Sequence, residues 1–236
     1  MKHLIETTDL SSLGFAEYDR LILDSTKNEI IYRGGVTYEY VDLGLPSSTL
    51  WSNMNLGATS ETDYGDCFQW GSTTPNTADE CTWKNAPFNN GSSYYDSNYF
   101  NTHKSEWLDN NGNLKPEFDA ATQIMGGDWR MPTEAEIREL INNTTKEWIT
   151  NFNGSGVNGR KFTSKTDTSK YIFIPAAGFC YNDSVNYVDR NGYVWSSSLN
   201  ASDPGYAWGL YFNSGRCEMS DSSFRYFGQS VRGVRK

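Results

Sequence analysis

The feature that most constrains the fold is a series of short β-prone runs separated by clusters of Gly, Asn, Ser and Pro. Such runs, bounded by turn-forming residues, are typical of short strands joined by irregular loops. Aromatic residues make up 15% of the chain while all hydrophobic residues make up 37%, so the core is expected to be rich in rings. The runs are residues 37–41, 50–52, 68–70, 171–174, 193–195 and 208–212.

One helix is predicted clearly, directly after Pro132. Thr133 is placed as its N-cap and Glu136 three positions later completes a capping box. The apolar residues that follow, ending at Ile141, lie on one face, and the helix is expected to end near residues 142–143.

Between the strands, two further segments differ in character. Residues 116–124 predict a second, shorter helix, whereas residues 72–113 are polar, rich in Asn and aromatics, and without a sustained period. This longer stretch is predicted to be mostly loop held by its aromatic side chains. Few helices among many short strands indicate an α+β fold.

The first 37 residues read differently from residues 38–236 and are assigned to a small N-terminal module for attachment or oligomerisation. Two β-prone runs, 18–23 and 29–33, flank the polar segment 24–28 and suggest a hairpin. A linker, or a first strand packed on the main domain, is the alternative interpretation. Helical spacing is also present, at Phe15, Tyr18 and Ile22.

Charge and composition exclude several classes of function. The net charge is −9, from 20 Lys+Arg against 29 Asp+Glu without a basic run, so nucleic acid is not an expected partner. No apolar stretch approaches the roughly 20 residues that a spanning helix needs, and we expect no membrane insertion. The irregularly spaced cysteines and two histidines predict neither a disulfide scaffold nor a zinc site. These are Cys67, Cys81, Cys180, Cys217, His3 and His103.

Several motifs, occurring in order along residues 40–235, resemble the paralogous domain abundant in surface proteins of Bacteroidetes and Fibrobacter. The resemblance implies a variant of the C-type lectin fold, related to formylglycine-generating-enzyme-like domains. Some members, in gut Bacteroides and their phages, are the variable proteins of diversity-generating retroelements. The matching motifs are YVDLGLPSSTLW at 40–51, NLGA at 55–58, DYGD at 63–66, FQWG at 68–71, GDWRMPT at 127–133, IPAAG at 174–178, GYVWSSS at 192–198 and GQSVR at 228–232.

The retroelement hypothesis can be compared with the genetic code. Such systems mutate adenines, and changes at the first two positions of an AAC or AAT codon never yield Trp, Met, Lys, Glu or Gln. The runs 179–187 and 220–227 contain only reachable residue types, and Glu218, Met219 and Gln229 bracket the second run with unreachable ones. Small polar and aromatic residues are also common in ordinary β-rich loops, which is the alternative explanation.

From the resemblance and the loop composition we predict a ligand-binding protein whose C-terminal loops form an adaptable surface, because rings and short polar groups suit such recognition. The partner is expected to be a host cell-surface protein or glycan. Trp51, Trp70, Trp129, Trp195 and Trp208 are assigned to the scaffold, and Arg232 and Arg235 are expected to pair with carboxylates. The candidate ligand-binding residues are Tyr181, Asn182, Asp183, Tyr187, Tyr193, Arg216, Ser220, Asp221, Ser222, Phe224, Arg225 and Tyr226.

No catalytic residue, metal ligand or cofactor is assigned. The tripeptides of sugar-binding C-type lectins are absent, and residues 109–113 favour an exposed turn over a structural calcium site. A formylglycine-generating type of enzyme using Cys180 and Cys217 is an alternative, but no histidine lies near them in sequence to activate a thiolate.

Residues 1–10 lack the apolar run of a signal peptide, which favours a phage tail-fibre or tip protein, assembled in the host cytoplasm, over a bacterial surface adhesin. Presenting weak sites in several copies gains avidity, and we therefore expect a homo-oligomer, as a trimer. A fixed bacterial surface adhesin remains the alternative.

Overall fold

The structure is a computed structural model that describes residues 2–5, 20–24, 29–33 and 37–236. By its internal contacts the chain divides into two units, residues 1–37 and 38–236. The strands are β1 (Lys2–Ile5), β2 (Arg20–Asp24), β3 (Glu29–Arg33), β4 (Tyr40–Asp42), β5 (Leu50–Ser52), β6 (Thr144–Ile149), β7 (Gly159–Ser164), β8 (Tyr171–Pro175), β9 (Phe179–Tyr181), β10 (Ser184–Asn186), β11 (Gly192–Leu199), β12 (Tyr206–Phe212), β13 (Cys217–Phe224) and β14 (Val234–Arg235). The helices are α1 (Ser97–Trp107), α2 (Ala120–Met125) and α3 (Glu134–Asn143).

In the first unit, β1, β2 and β3 form a three-stranded antiparallel sheet in that order. The pairing of β2 with β3 agrees with the predicted hairpin. Ile22 lies in β2 rather than in a helix, while Phe15 and Tyr18, on which the helical alternative depended, lie outside the described residues.

The second unit is mixed α and β, as predicted. Its strands form three separate three-stranded sheets, β4-β5-β14, β6-β7-β8 and β11-β12-β13, and the two-stranded pair β9–β10. The pairing partners within every one of these sheets are antiparallel. Near the end of the chain Val234 pairs with Trp51 of β5, so the last strand lies beside one of the first strands of the unit.

Helix α3 forms as the sequence predicts. Thr133 Oγ1 accepts a hydrogen bond from the Glu136 amide, and the Glu136 carboxylate accepts one from the Thr133 amide at 2.9 Å. These reciprocal bonds satisfy amides that the first turn of a helix leaves free. Ile137 and Leu140 are fully buried, and the helix ends at Asn143.

The loop prediction for residues 72–113 is wrong in part, because α1 lies within it. Asp96 caps the helix by accepting a hydrogen bond from the Tyr99 amide at 2.9 Å. Only Phe100 and Trp107 of α1 are buried, and two residues seven positions apart give too weak a period to detect. The shorter helix predicted nearby is confirmed as a 3₁₀ turn at Pro116–Phe118 followed by α2.

Four of the five tryptophans assigned to the scaffold are buried, but Trp208 is not. It is half-exposed on β12, with the Arg138 guanidinium 5.2 Å from its ring. The predicted run 68–70 forms no strand and contributes one isolated bridge, between Phe68 and Gln229.

The two C-terminal arginines differ from each other. Arg235 approaches the Asp128 carboxylate at 3.5 Å, as expected. The carboxylate predicted for Arg232 is wrong: this fully buried guanidinium instead donates to Asn55 Oδ1 at 3.0 Å and to the carbonyls of Ser52 and Phe173 at 3.0 and 2.8 Å.

Candidate ligand-binding surface

The β9–β10 hairpin presents part of the C-terminal loop region. Asn182 and Asp183 form its two-residue turn, and both have positive φ angles, 48° and 61°. A type I′ turn requires this at both central positions, and Asn and Asp tolerate it better than most residues. Val185 and Tyr187 on the returning side are 51% and 54% exposed.

A disulfide attaches this hairpin to the scaffold. Cys180 of β9 is bonded to Cys67, 113 residues earlier in the chain. The Cys180 amide donates to the Gly228 carbonyl at 2.7 Å, and the Gly228 amide donates back at 3.0 Å. A Cβ at position 228 would lie 2.7 Å from Cys81 Sγ, so only glycine fits this close approach. The hairpin is therefore held to two other segments.

The two remaining cysteines are free. Cys81 is fully buried, and burial raises the pKa of its thiol to about 12. Cys217 is partly buried, and burial raises its pKa as well. Since the thiolate is the reactive form, neither environment activates a nucleophile. The pair considered for an enzyme does not form, because Cys180 is bonded to Cys67 rather than to Cys217.

Aromatic side chains from the hairpin, from β11–β13 and from the loop before α1 form one contiguous set. Every ring in it is half-buried or exposed. We call this set the aromatic surface; its members are Trp83, Tyr95, Phe179, Tyr181, Tyr187, Tyr193, Tyr206, Tyr211, Phe224, Tyr226 and Phe227.

The contacts at the centre of the aromatic surface join the two runs identified in the sequence. The Tyr226 ring lies 5.6 Å from that of Tyr181 and 4.8 Å from that of Trp83. Phe227 lies 4.7 Å from Phe179. Distances of this size are those at which aromatic pairs attract each other beyond their burial. Aromatic rings of the runs 179–187 and 220–227 therefore form one surface.

Some hydroxyls of this surface are engaged. Burial, together with the adjacent Tyr181 hydroxyl, raises the pKa of Tyr226 to about 12. At the far end, Asn191 Nδ2 donates to Tyr193 Oη at 3.2 Å and Asn213 Nδ2 donates to Tyr211 Oη at 2.7 Å. The hydroxyls of Tyr193 and Tyr211 are therefore hydrogen-bonded within the protein.

The predicted site residues divide into groups. The rings of Tyr181, Tyr187, Tyr193, Phe224 and Tyr226 belong to the aromatic surface, and Asn182 and Asp183 form the exposed turn beside it. Arg216 lies apart, in the turn between β12 and β13, where it is exposed and 3.8 Å from Glu218. On β13, Ser220 is half-buried and Ser222 is exposed, while the side chain of Asp221 lies outside the described part of the structure.

Arg225 does not belong to the exposed surface. It is fully buried, and its Nε and Nη1 donate to the carbonyls of Pro204 and Pro87 at 2.7 and 3.3 Å. Its guanidinium lies 4.3 Å from the Phe100 ring centre and 5.4 and 5.6 Å from those of Tyr95 and Trp83. Burial lowers its pKa to about 10. Arg225 supports the aromatic surface from beneath and is a positioning residue.

Sequence reasoning missed half of the aromatic surface. Trp83 and Tyr95 come from the segment predicted to be loop, far in sequence from the C-terminal runs. Tyr206 and Tyr211 lie on β12 and point away from the buried positions Ala207, Leu210 and Phe212. The alternation along β12 could have indicated the outward-facing tyrosines, whereas no local pattern could have placed Trp83 beside Tyr226.

The segment 109–113 forms a local turn. The Asp109 carboxylate accepts hydrogen bonds from the amides of Asn111 and Asn113 at 2.8 and 2.9 Å. Within the described ranges, no cluster of three or more His, Cys, Asp or Glu side chains could hold a metal ion.

None of the helices in the described part of the chain combines the length and apolar character that crossing a bilayer requires. No protein-family model matches the chain, and neither does any curated protein or solved structure. The geometry of the aromatic surface is therefore the basis for its proposed function.

Proposed function

We propose that this chain is a receptor-binding protein that uses the aromatic surface to recognise a host cell-surface protein or glycan. The observation that carries the proposal is the contiguity of the aromatic surface: rings from the segment before α1, from the β9–β10 hairpin and from the end of β13 meet, and a disulfide links the hairpin to Cys67. Half-buried rings supply a large contact area with few torsions left to freeze on binding.

The C-type lectin-like fold implied by the sequence motifs is part of the same proposal. It is supported by the pairing of β5 with β14, which brings the two ends of the second unit together. A further support is the order of elements, in which a long segment with few strands separates β5 from β6 and the antiparallel β11-β12-β13 sheet follows. Scaffold and recognition loops are then separate parts of one unit.

We also propose that the loops are diversified. The burial of individual residues in and around the second run supports this at the exposed positions. Met219, which precedes the second run, packs against the core, and Gln229, which follows it, is buried. Between them, Ser222 is exposed and Phe224 and Tyr226 are half-buried. Variation at the exposed positions would alter recognition without disturbing the core.

Three positions inside the runs are constrained. Cys180 forms the disulfide, while Ser223 and Arg225 are buried. Retroelement mutagenesis that reached these codons would cost stability as well as alter binding. We therefore expect diversity to be concentrated at exposed codons and low at these three.

In this proposal the protein is a homotrimeric phage tail-fibre or tip component that binds Bacteroides cells. Light scattering coupled to size-exclusion chromatography tests the trimer by giving the mass of the assembly. The flanking DNA tests diversification: a reverse transcriptase gene and a near-repeat of the last codons that differs at adenines are expected. Their absence would favour a fixed adhesin.

Binding of the labelled protein to a panel of Bacteroides strains, followed by flow cytometry, tests the surface. The double substitution Tyr181→Ser and Tyr226→Ser is expected to reduce binding roughly tenfold or more, because central aromatic residues dominate such interfaces. Tyr40→Ser is the matched control, since Tyr40 is 55% exposed on β4 and is not part of the aromatic surface. Equal binding by both variants would contradict the proposal.

A further inference from the structure

A polar cleft lies next to the aromatic surface. Its volume is about 570 Å³, and it opens between residues 189–191, which precede β11, and the turn 213–216 between β12 and β13. Trp148 of β6 forms one wall. Pockets of about 300–1,000 Å³ are the usual size for small ligands. Through the Asn191–Tyr193 and Asn213–Tyr211 hydrogen bonds, the cleft is continuous with the aromatic surface.

A buried arginine supports this cleft. Arg160 of β7 is only 7% exposed, and its Nη2 donates to the carbonyls of Asn213 and Arg216 at 2.5 and 2.8 Å. Its Nε is buried without a hydrogen-bond partner. Across the described residues no carboxylate lies within ion-pair distance of this guanidinium. Arg160 thus holds the turn 213–216 in place and leaves its positive charge unpaired.

Two guanidinium groups line the cleft itself, on Arg190 and Arg216. Both side chains are exposed. Arg216 has a nearby carboxylate in Glu218 at 3.8 Å, but these side chains are 70% and 54% exposed, and such ion pairs contribute little. Both groups remain accessible to a ligand.

The carboxylate in the cleft, on Asp189, is already bound. It accepts a hydrogen bond from the Asn158 amide at 3.0 Å, and burial together with this carboxylate raises the pKa of the neighbouring Tyr64 hydroxyl. In a chain with a net charge of −9, the cleft therefore concentrates guanidinium groups around one engaged carboxylate.

The chemistry of the lining fits a sugar with a negative group. An indole wall can pack against the apolar face of a pyranose ring, and guanidinium groups bind carboxylate or sulfate through paired hydrogen bonds. Asn191 and Asn213 each use one side-chain N–H on a tyrosine hydroxyl, which leaves the second N–H to donate to a sugar hydroxyl. A purely apolar ligand would leave these polar groups unsatisfied.

We infer that this cleft is a binding site for an anionic saccharide, one that carries a carboxylate or a sulfate. The inference rests on the proposed receptor-binding function and specifies part of its ligand: the aromatic surface contacts the body of the receptor, and the cleft takes an acidic sugar at its edge. Arg190 and Arg216 contact the anion, and Trp148 contacts the ring.

Saturation-transfer NMR of the full chain with millimolar glucuronic acid, glucose 6-sulfate and glucose tests the site. One or both acidic sugars should bind more tightly than glucose, and which of them binds identifies the anion. Raising the salt concentration should weaken that binding, because the guanidinium groups at the mouth are exposed to solvent. No binding of either acid, or binding of glucose as tight as theirs, would overturn the inference.

Variants separate a binding role from a structural one. Arg190→Gln with Arg216→Gln should weaken acidic-sugar binding roughly tenfold or more, as expected when charge-assisted hydrogen bonds are lost. Arg138→Gln is the matched control, since it removes an exposed arginine from α3. Glu218→Gln should strengthen binding, because it frees Arg216 from a competing carboxylate. Unchanged binding in the double variant would overturn the site.

Cell binding keeps this inference distinct from the proposed function. If the double arginine variant still binds Bacteroides cells fully and the protein binds no acidic sugar, the cleft is not a receptor site, while the aromatic surface still is. If the tyrosine variants also bind cells fully, the proposed function itself fails.

Discussion

Two regions of the second unit each contain a fully buried arginine, and they surround its guanidinium group in different ways. We call the surroundings of Arg232 the scaffold region and those of Arg225 the surface region. Arg232 directs its nitrogens at oxygen atoms of Asn55, Ser52 and Phe173. Arg225 makes two carbonyl hydrogen bonds and is otherwise enclosed by aromatic rings.

The two regions differ in how strictly the contacts of the arginine fix the positions of the neighbouring segments. Hydrogen bonds to oxygen depend on distance and angle, so the strands around Arg232 are fixed with respect to one another. Contacts between a guanidinium and ring faces are less directional, and they support neighbouring loops without specifying every atom. A rigid scaffold beneath an adaptable surface is what a recognition protein with changeable loops requires.

Arg232→Met should have the largest effect and would break the scaffold region. The substitution leaves the Asn55, Ser52 and Phe173 oxygens buried without a donor, and at 1–3 kcal/mol for each lost partner we expect a loss of about 5 kcal/mol in the free energy of unfolding. Urea denaturation measures it. A loss below about 2 kcal/mol would mean that water replaces the guanidinium.

Removing the disulfide tests the attachment of the surface region. Cys67→Ser with Cys180→Ser opens a loop of 113 residues; the chain-entropy account gives an upper value of about 5 kcal/mol, and because disulfides typically contribute about 2–4 kcal/mol we expect a loss of about 4 kcal/mol. Cys217→Ser serves as the control, because that thiol is free. Cell binding should fall in the double variant at equal folded concentration. Retained binding would show that the hairpin keeps its place without the disulfide.

Arg225→Met keeps an apolar stem in the surface region and removes the charge. We expect a loss of about 3 kcal/mol from the unpaired Pro204 and Pro87 carbonyls and the lost ring contacts. Unlike Arg232→Met, it should also weaken cell binding of the folded protein, since Trp83 and Tyr95 lose their support. Equal binding by the folded forms of both variants would remove the distinction between the regions.

Acid titration probes a scaffold ion pair. Burial alone would raise the pKa of Glu136, but hydrogen bonds from Arg130 and Thr133 outweigh it and lower the pKa below its usual value near 4.5. The carboxylate therefore contributes stability above pH 4.5 and loses it as the pH falls through the lowered value. Glu136→Gln should cost about 2 kcal/mol at pH 7 and less in acid. A constant difference between the two proteins from pH 7 to pH 3 would contradict this.

Thr133→Ala should have the smallest effect, a loss of about 1 kcal/mol, because it removes only the N-cap of α3. Thermal unfolding measures it, and binding to cells should not change. Reduced binding would show that α3 affects the aromatic surface.

Local features of the fold could be predicted because short-range interactions determine them. Thr133 and Glu136 lie three residues apart, and their capping box joins groups within the first turn of one helix. The α+β class follows from strand-like runs and one clear helix. Helix α1 escaped prediction, because Phe100 and Trp107 are its only buried residues and give no detectable helical period.

The candidate surface was predictable only in its C-terminal half. Tyr181, Tyr187 and Tyr226 lie in loops with the composition of recognition surfaces, but the same composition did not reveal that the neighbouring Arg225 is buried. Neither the Cys67–Cys180 bond nor the approach of Trp83 to Tyr226 leaves a local signal.

By itself, then, the sequence determined the class of the fold, the position of α3 and the enrichment of the C-terminal loops in rings and small polar groups. The tertiary structure alone decided which rings meet, which arginines are buried and where guanidinium groups line a cleft. The physical reason is range: capping and periodicity act over a few residues, whereas packing joins residues more than a hundred positions apart.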